Sequence, residues 1–486
     1  MFKPQVFNIV GLSWIMLGIS MLFSATWSIY FSEPDLWPVI KSSVITFLLG
    51  LTTFTLTYKK KQNDLTIKDG FAIVSICWLT MAIFAALPFY FALDMTFTNA
   101  YFEAMSGLTT TGASILGSVL TYEIESLPKG ILFWRSFLQF IGGIGIIVFS
   151  IAILPVLGIG GVQLFRAEVA GPTADKLTPR VKQTAKLLWS IYLGFFITCC
   201  LILKIEGMTW FDSLCHSFTT IATAGFSTKN ESVGAFSGLI QWTIIIFMFL
   251  SATNFSLHYH FFSKRKLEYF KNSEFRVYFG LCIIVSLFFF IDIITKNNYN
   301  FNFTTLRHSV FTAVSLITTT GFSTENFNDW PEMSKTIIFF LFFMGGSAGS
   351  TTGGMKIIRL ILIAKYLVSE VRKLLHPRGV FPIKIGKKVI PDEVVKNTLG
   401  FYLFYIFIFV TTSIVYSMSG LNLETSLSAA ASAIGNIGPG LGSIGPTFNW
   451  AHLSDLTKWL TSFTMLMGRL EIFTVVVLFS RSFWRK

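Results

Sequence analysis

Apolar residues run along this chain in long blocks, and polar residues gather between the blocks. The blocks are Val6–Tyr30, Trp37–Tyr58, Gly70–Leu93, Gly130–Leu157, Ala185–Ile205, Leu239–Phe262, Val277–Ile294, Ser334–Leu367, Thr398–Met418 and Leu456–Phe483. A helix needs roughly 20 apolar residues to cross the hydrocarbon core of a bilayer. Each block therefore predicts a membrane-spanning helix. The first has no small-residue cleavage site and is too long for a signal segment, so it reads as a retained helix.

Four of the connections repeat one another. They are "TNAYFEAMSGLTTTGAS", "TWFDSLCHSFTTIATAGFST", "TTLRHSVFTAVSLITTTGFST" and "LETSLSAAASAIGNIGPGLGS". Aligned on glycine, they bring Gly112, Gly225, Gly321 and Gly438 into register. The apolar lead-in to each glycine is about a dozen residues, too short to cross a bilayer. It predicts a short helix that enters part way, followed by non-helical backbone at membrane depth. Such backbone is tolerated only where it is buried in protein or lines a watery cavity. The predicted unit is span, short pore helix, glycine stretch, span. It occurs over residues 70–158, 184–263, 276–367 and 397–486, after a two-helix extension over 1–69. The fold class expected is an all-α integral membrane protein with four such units around one central pore.

Composition supports the membrane reading. Hydrophobic residues make up 53% of the chain and charged residues 13%, and Phe alone accounts for 53 of the 486 positions. The net charge of +13 would suggest nucleic acid in a soluble protein. Here its placement decides. Lys59, Lys60, Lys61 and Lys68 follow the second span, and Arg166, Lys176, Arg180 and Lys182 the fourth. Lys264, Arg265, Lys266 and Lys271 follow the sixth, and Arg372, Lys373, Arg378, Lys384, Lys387, Lys388 and Lys396 the eighth. Arg481, Arg485 and Lys486 close the chain. The alternate connections carry mostly acids and aromatics. The positive-inside rule then predicts a multi-pass protein with both termini in the cytoplasm, and nucleic-acid binding is excluded. The five cysteines have no metal-type spacing and read as core residues. His216 and Glu103, in the short helices, read as packing or support residues, and His258 and His260 are too isolated for a metal site. No nucleophile–base set, phosphate loop or zinc spacing is present, so the chain does not read as an enzyme. No ATP motif is present either. Passage down a membrane potential would suffice as a driving force, at about 2.3 kcal/mol per charge for 100 mV.

Four glycine stretches around one axis would present a ring of backbone carbonyls, the arrangement that replaces the water shell of K⁺. Glycine reaches backbone angles that a Cβ forbids. The short helices would aim their partly negative C-terminal ends at the pore and favour a cation. The candidate filter residues are Thr110, Thr111 and Gly112; Thr223, Ala224 and Gly225; Thr319, Thr320 and Gly321; and Asn436, Ile437 and Gly438. Arg135 and Gln139, one helical turn apart on the fourth span, read as a structural clamp more than as pore elements. The eighth span is interrupted by "GGSAGSTTGGMK", whose five glycines cannot hold a stable helix in lipid. Arg469, inside the last span, should face the pore or an acid. Glu471, two residues on, points to a different face and is not an obvious partner.

Together with "FWRSFLQFIGGIGI", "TNFSLHY" and "MGRLEIF", these stretches strongly resemble the Trk/Ktr/HKT family of potassium transporters, in particular its Trk-type pore subunits. The resemblance covers essentially the whole chain, and the two leading spans resemble the Trk-type extension. It implies channel-like passage of K⁺, and of Rb⁺, with K⁺ held at the filter residues. Relatives with serine at the first filter position tend to carry Na⁺, so Gly112 favours K⁺. A K⁺/Na⁺ or K⁺/H⁺ symporter is the alternative within the family. The resemblance also implies a gate that lies under the filter: Gly345, Gly346, Ser347, Gly349, Ser350, Thr351, Gly353, Gly354 and Lys356, with Arg469 beneath the ring. It implies a homodimer in the lipid of the bacterial inner membrane. A cytosolic ring of TrkA-like nucleotide-binding regulatory subunits is implied as well, with ATP or NADH on that partner and no cofactor on this chain.

Overall fold

The computed structural model describes residues 3–58, 66–117, 123–152, 177–265, 268–296, 301–386 and 388–484. Of the basic residues that set the predicted topology, Lys59, Lys60, Lys61, Arg166, Lys176, Lys266, Lys387, Arg485 and Lys486 lie outside the described residues. So do residues 153–158, the end of the first predicted unit.

Helices occupy every predicted span. The leading pair is α1 (Pro4–Phe31) and α2 (Leu36–Thr57). The first unit holds α3 (Ile67–Ala85), α4 (Leu87–Ala92), the short α5 (Phe97–Leu108) and α6 (Lys129–Ala152). The second holds α7 (Leu177–Ile205), the short α8 (Trp210–Ile221), α9 (Gly238–Ser251) and α10 (Phe255–Lys264). The third holds α11 (Ser273–Lys296), the short α12 (Phe303–Ile317), α13 (Glu332–Leu341) and α14 (Ile357–Leu375). The fourth holds α15 (Asp392–Met418), the short α16 (Leu423–Gly435), α17 (Asp455–Arg469) and α18 (Phe473–Val476). Among the described residues, strands are confined to two short pairs, so the chain is an all-α bundle.

The four short helices begin alike. Thr96, Thr209, Asn302 and Asn422 each accept a hydrogen bond from the backbone N–H three residues on, which satisfies one donor left free by the first turn. The interval from cap to glycine is the same in units one, two and four, and three residues longer in unit three. This cap is a second mark of the repeat, and glycine alignment alone misses it.

The sequence predicts one interrupted span; among the described residues three spans are sharply bent or opened. The sixth span bends by 97° between α9 and α10, and the tenth by 112° after Arg469. At the first bend Asn254 starts a new helix by accepting the N–H of Ser256, and the Ala252 carbonyl accepts from Ser347 N–H. At the second, Glu471 and Ile472 both take positive φ. The eighth span opens fully between α13 and α14. Among the described residues, only in the first unit does the second helix run unbroken past this level, through Gly142 and Gly143.

The leading helices pack through glycine. A Cβ on Gly50 would sit 2.7 Å from the Ile15 nitrogen, and one on Gly11 would sit 2.8 Å from the Phe54 nitrogen. Apolar surface offers no drive to associate in lipid, so close backbone approach supplies the contact. Gly50→Val is expected to force α1 and α2 apart and to cost about 1–3 kcal/mol. A melting temperature in detergent equal to that of the parent protein would contradict this packing.

Candidate functional site

The non-helical backbone that follows each short helix has the same form four times. Thr110, Thr223, Thr319 and Asn436 take φ of 53°, 52°, 52° and 53°. The next N–H in each case returns to the short helix: Thr111 to Ser106 O, Ala224 to Thr219 O, Thr320 to Ser315 O and Ile437 to Ser432 O. A left-handed residue at a helix end is usually Gly or Asn. Three β-branched threonines held there are backbone outliers, and such strain gathers at functional sites. The glycines follow two residues later, with φ of 80°, 80°, 77° and 104°.

The missing glycine side chains define how the four stretches sit together. A Cβ on Gly112 would collide with the Ala224 carbonyl oxygen, one on Gly225 with that of Thr320, one on Gly321 with that of Ile437, and one on Gly438 with that of Thr111. The sequence of contacts closes on itself. Four strands therefore stand side by side in a ring, in chain order, each glycine abutting the next strand's carbonyl. One cavity of about 90 Å³ touches all four glycines, and its lining contains no carboxylate.

Hydrogen bonds tie each seam of the ring outside the glycines. Arg135 donates to Ser227 O between strands one and two. Val233 N–H donates to Ser323 O between two and three, and Asn328 exchanges two bonds with the Gly442 backbone between three and four. Trp450 joins four to one: its backbone N–H donates to Ser114 O, and its indole to Gly438 O.

Arg135 and Glu103 form a buried ion pair at 2.7 Å. Glu103 also accepts from Ser114 Oγ and Ile115 N–H, and the guanidinium lies 4.1 Å from the centroid of Phe226. The sequence marks both residues but not the pairing, which joins positions 32 apart on different helices. His216 bridges Asp212 O and Ser227 Oγ, a support role for strand two. Gln139 faces the ring: its Nε2 donates to Ala224 O at 2.7 Å, and its Oε1 accepts from Phe226 N–H at 3.1 Å.

The loop between α13 and α14 lies directly against the ring. Its ends are zipped by parallel pairing of Met344 with Met355 and Gly345 with Lys356. Thr351 Oγ1 lies 3.2 Å from both Ile221 O and Ser251 O, either of which can accept its proton, and receives a bond from Thr223 Oγ1 at 3.1 Å. Gly353 N–H donates to Thr319 Oγ1 at 2.8 Å. Gly353 also leaves no room for a Cβ against Gly435 O, and Gly346 leaves none against Ala252. Ser350 bonds to Ser347 O and Thr352 Oγ1, and Phe255 N–H donates to the carbonyl of Gly349. Gly354 turns with φ of 60°. Lys356 Nζ folds back onto Thr352. Two of the four left-handed residues thus bond to the loop, whereas the buried Thr110 Oγ1 and Asn436 Oδ1 have no hydrogen-bond partner among the described residues.

Among the described residues Arg469 meets no acid. It donates to Thr351 O at 2.7 Å and to Gly142 O at 3.2 Å, so it clamps the loop to the unbroken α6. Glu471 instead pairs with Arg359 at 2.5 Å, at the start of α14. Glu274, at the start of α11, accepts from Ala348 N–H and Ile358 N–H and so holds both sides of the loop. Neither contact is visible in local sequence, because each joins residues far apart in the chain. Among the described residues no group of His, Cys, Asp and Glu is placed to hold a metal ion, so the oxygen atoms available at the ring are carbonyl and hydroxyl oxygens.

A bundle of membrane helices around a ring of backbone carbonyls has the build of an ion-transport protein. The family model described as "TrkH: Cation transport protein" matches residues 38–486. The Trk system potassium uptake protein TrkH of Halomonas elongata is 40% identical over 496 residues, covering 99% of both chains. That of Vibrio parahaemolyticus is 38% identical over 488 residues, again covering 99% of both. The crystal structure of the potassium transporter TrkH from Vibrio parahaemolyticus superposes with a TM-score of 0.90 at 36% identity, over 99% of both chains. The chain belongs to the TrkH family of cation transport proteins, which are transporters and not enzymes.

Arg135→Ala would leave the Glu103 carboxylate buried without its cation, at a cost of about 3–5 kcal/mol. The expected outcome is a lower melting temperature and a reduced yield of monodisperse protein, with Arg135→Ala/Glu103→Ala less damaging than Arg135→Ala alone. If the single variant melts with the parent, the pair does not brace the ring.

Proposed function

We propose that this chain takes up K⁺, and Rb⁺ with it, by channel-like passage along the axis of the glycine ring. The observation that carries the proposal is the closed circuit of glycine and carbonyl contacts. It supports a ring of four corresponding carbonyls, which could stand in for water around a K⁺ ion. The filter is formed by Thr110–Gly112, Thr223–Gly225, Thr319–Gly321 and Asn436–Gly438. The relatives named above carry potassium uptake in their names, which supports the choice of ion.

The loop Gly345–Lys356 is the gate in this reading. It packs against Thr223 and Thr319 under the ring and is clamped by Arg469. A fixed guanidinium at that depth also repels a passing cation in a low dielectric. The four units span 70–158, 184–263, 276–367 and 397–486, after a two-helix extension. The basic connections favour cytoplasmic termini in a bacterial inner membrane. Pore subunits pair as a homodimer. A cytosolic TrkA-like ring that binds ATP or NADH acts on the gate through α14, whose first turns pack with Ile385, Ile390 and Val394 of the neighbouring hairpin and helix.

Uptake of ⁸⁶Rb⁺ into proteoliposomes tests the reading, with K⁺ and Na⁺ as competitors. K⁺ should compete and Na⁺ should not, and Gly112→Ser should erase that difference. Failure of Rb⁺ to enter with the regulatory partner and nucleotide present would refute the pore. Arg469→Ala, or removal of part of Gly346–Gly353, is expected to raise flux in folded protein. A fall in flux would remove the loop from the gating role.

A further inference from the structure

The four filter strands are not fastened in the same way. In strand one, Thr109 Oγ1 and Thr111 Oγ1 are hydrogen-bonded at 2.8 Å across the left-handed Thr110. In strand three, Thr318 Oγ1 and Thr320 Oγ1 are bonded likewise at 2.8 Å across Thr319. In strand four the side chain of Asn436 is itself the fastening, and it donates to Thr111 Oγ1 and Met465 O, both at 2.9 Å. Strand two has neither device. Alanine stands at 222 and 224, where strands one and three have threonine, and the strand has no hydroxyl pair of its own.

Gln139 reaches this strand from the neighbouring unit. Helix α6 runs close behind it: a Cβ on Gly143 would lie 3.0 Å from Ala222 Cβ. The buried Gln139 amide then bridges Ala224 O and Phe226 N–H, one backbone group on each side of Gly225. A primary amide carries a donor and an acceptor on separate atoms, so it can donate to the carbonyl and accept from the N–H at the same time. Ala224 O is also the ring carbonyl that abuts Gly112. Gln139 thus bonds the same carbonyl that forms the seam with strand one.

We propose that Gln139 is a positioning residue for ion discrimination. It holds strand two from outside, as the threonine pairs hold strands one and three from within, and it fixes the field of the Ala224 carbonyl. The inference rests on the reading of the ring as the filter.

The test compares parent, Gln139→Met, Gln139→Glu, Gly112→Ser and the triple variant Gln139→Ala/Ala222→Thr/Ala224→Thr in ⁸⁶Rb⁺ uptake, scored as the ratio of K⁺ to Na⁺ inhibition. Gln139→Met keeps the length of the side chain and loses both bonds. It should lower the ratio by about tenfold, which corresponds to about 1.4 kcal/mol. Gln139→Glu keeps the acceptor for Phe226 but faces Ala224 O with a second oxygen, so its ratio should fall at least as far. The triple variant moves the fastening into the strand and should recover most of the ratio. A merely structural role for Gln139 would change yield and melting temperature and leave the ratio alone. An unchanged ratio in folded Gln139→Met while Gly112→Ser loses its own overturns the inference and leaves the filter reading standing. If both keep the parent ratio, the filter reading itself fails. If Gln139→Met does not fold, the triple variant decides: folded and selective supports the inference, and unfolded or unselective overturns it.

Discussion

Non-helical backbone inside an apolar bundle must find a partner for each N–H and C=O, because lipid offers none. Most of the polar detail in this protein answers that requirement. The four strands return their N–H groups to the short helices and tie their outer ends to one another. The loop below them does the same with Ala252, Ser251, Thr319 and Glu274. Some buried side-chain atoms remain unpartnered, and two of them lie at the ring. Buried oxygen atoms of Thr110 and Asn436 face no donor among the described residues, and both belong to the left-handed positions under the ring.

The same constraint explains what could be read from sequence. A short Gly motif repeated four times between apolar blocks, a five-glycine run that breaks a helix and an arginine inside an apolar block are all unusual in a membrane chain, so they stand out. The positions of the ring glycines, Arg469 and the loop were legible for that reason, as was the all-helical fold. The breaks at Ala252–Asn254 and after Arg469 were not. Neither carries a run of helix breakers; each is stabilised by partners from elsewhere in the fold. The pairs Glu103–Arg135 and Arg359–Glu471 were hidden in the same way, since a single sequence gives no account of which distant helices touch.

The four units share backbone geometry while their side chains diverge. The short helices are capped by Thr or Asn, the left-handed residues agree in φ to within a degree, and the four glycines all take positive φ, from 77° to 104°. The groups behind them do not: hydroxyl pairs in two quarters, an amide from next door in a third, an asparagine in the fourth. The helix breaks diverge as well, from none in α6 to a full loop before α14. One conserved geometry can thus be held by unlike means, and the loop, which bonds to only two of the four left-handed residues, meets a base that is already uneven.

Because each glycine abuts the carbonyl of the strand that follows it, the ring has a direction. A side chain added in one quarter presses on the next quarter and not on the one before. Substitutions in such a chain cannot accumulate independently within single units. Compatible changes have to arise in neighbouring pairs, one with two, two with three, three with four, and four with one. In a set of descendants of a single ancestral unit, that order would appear as correlated change between consecutive strands, with the last and first linked across more than three hundred residues of chain.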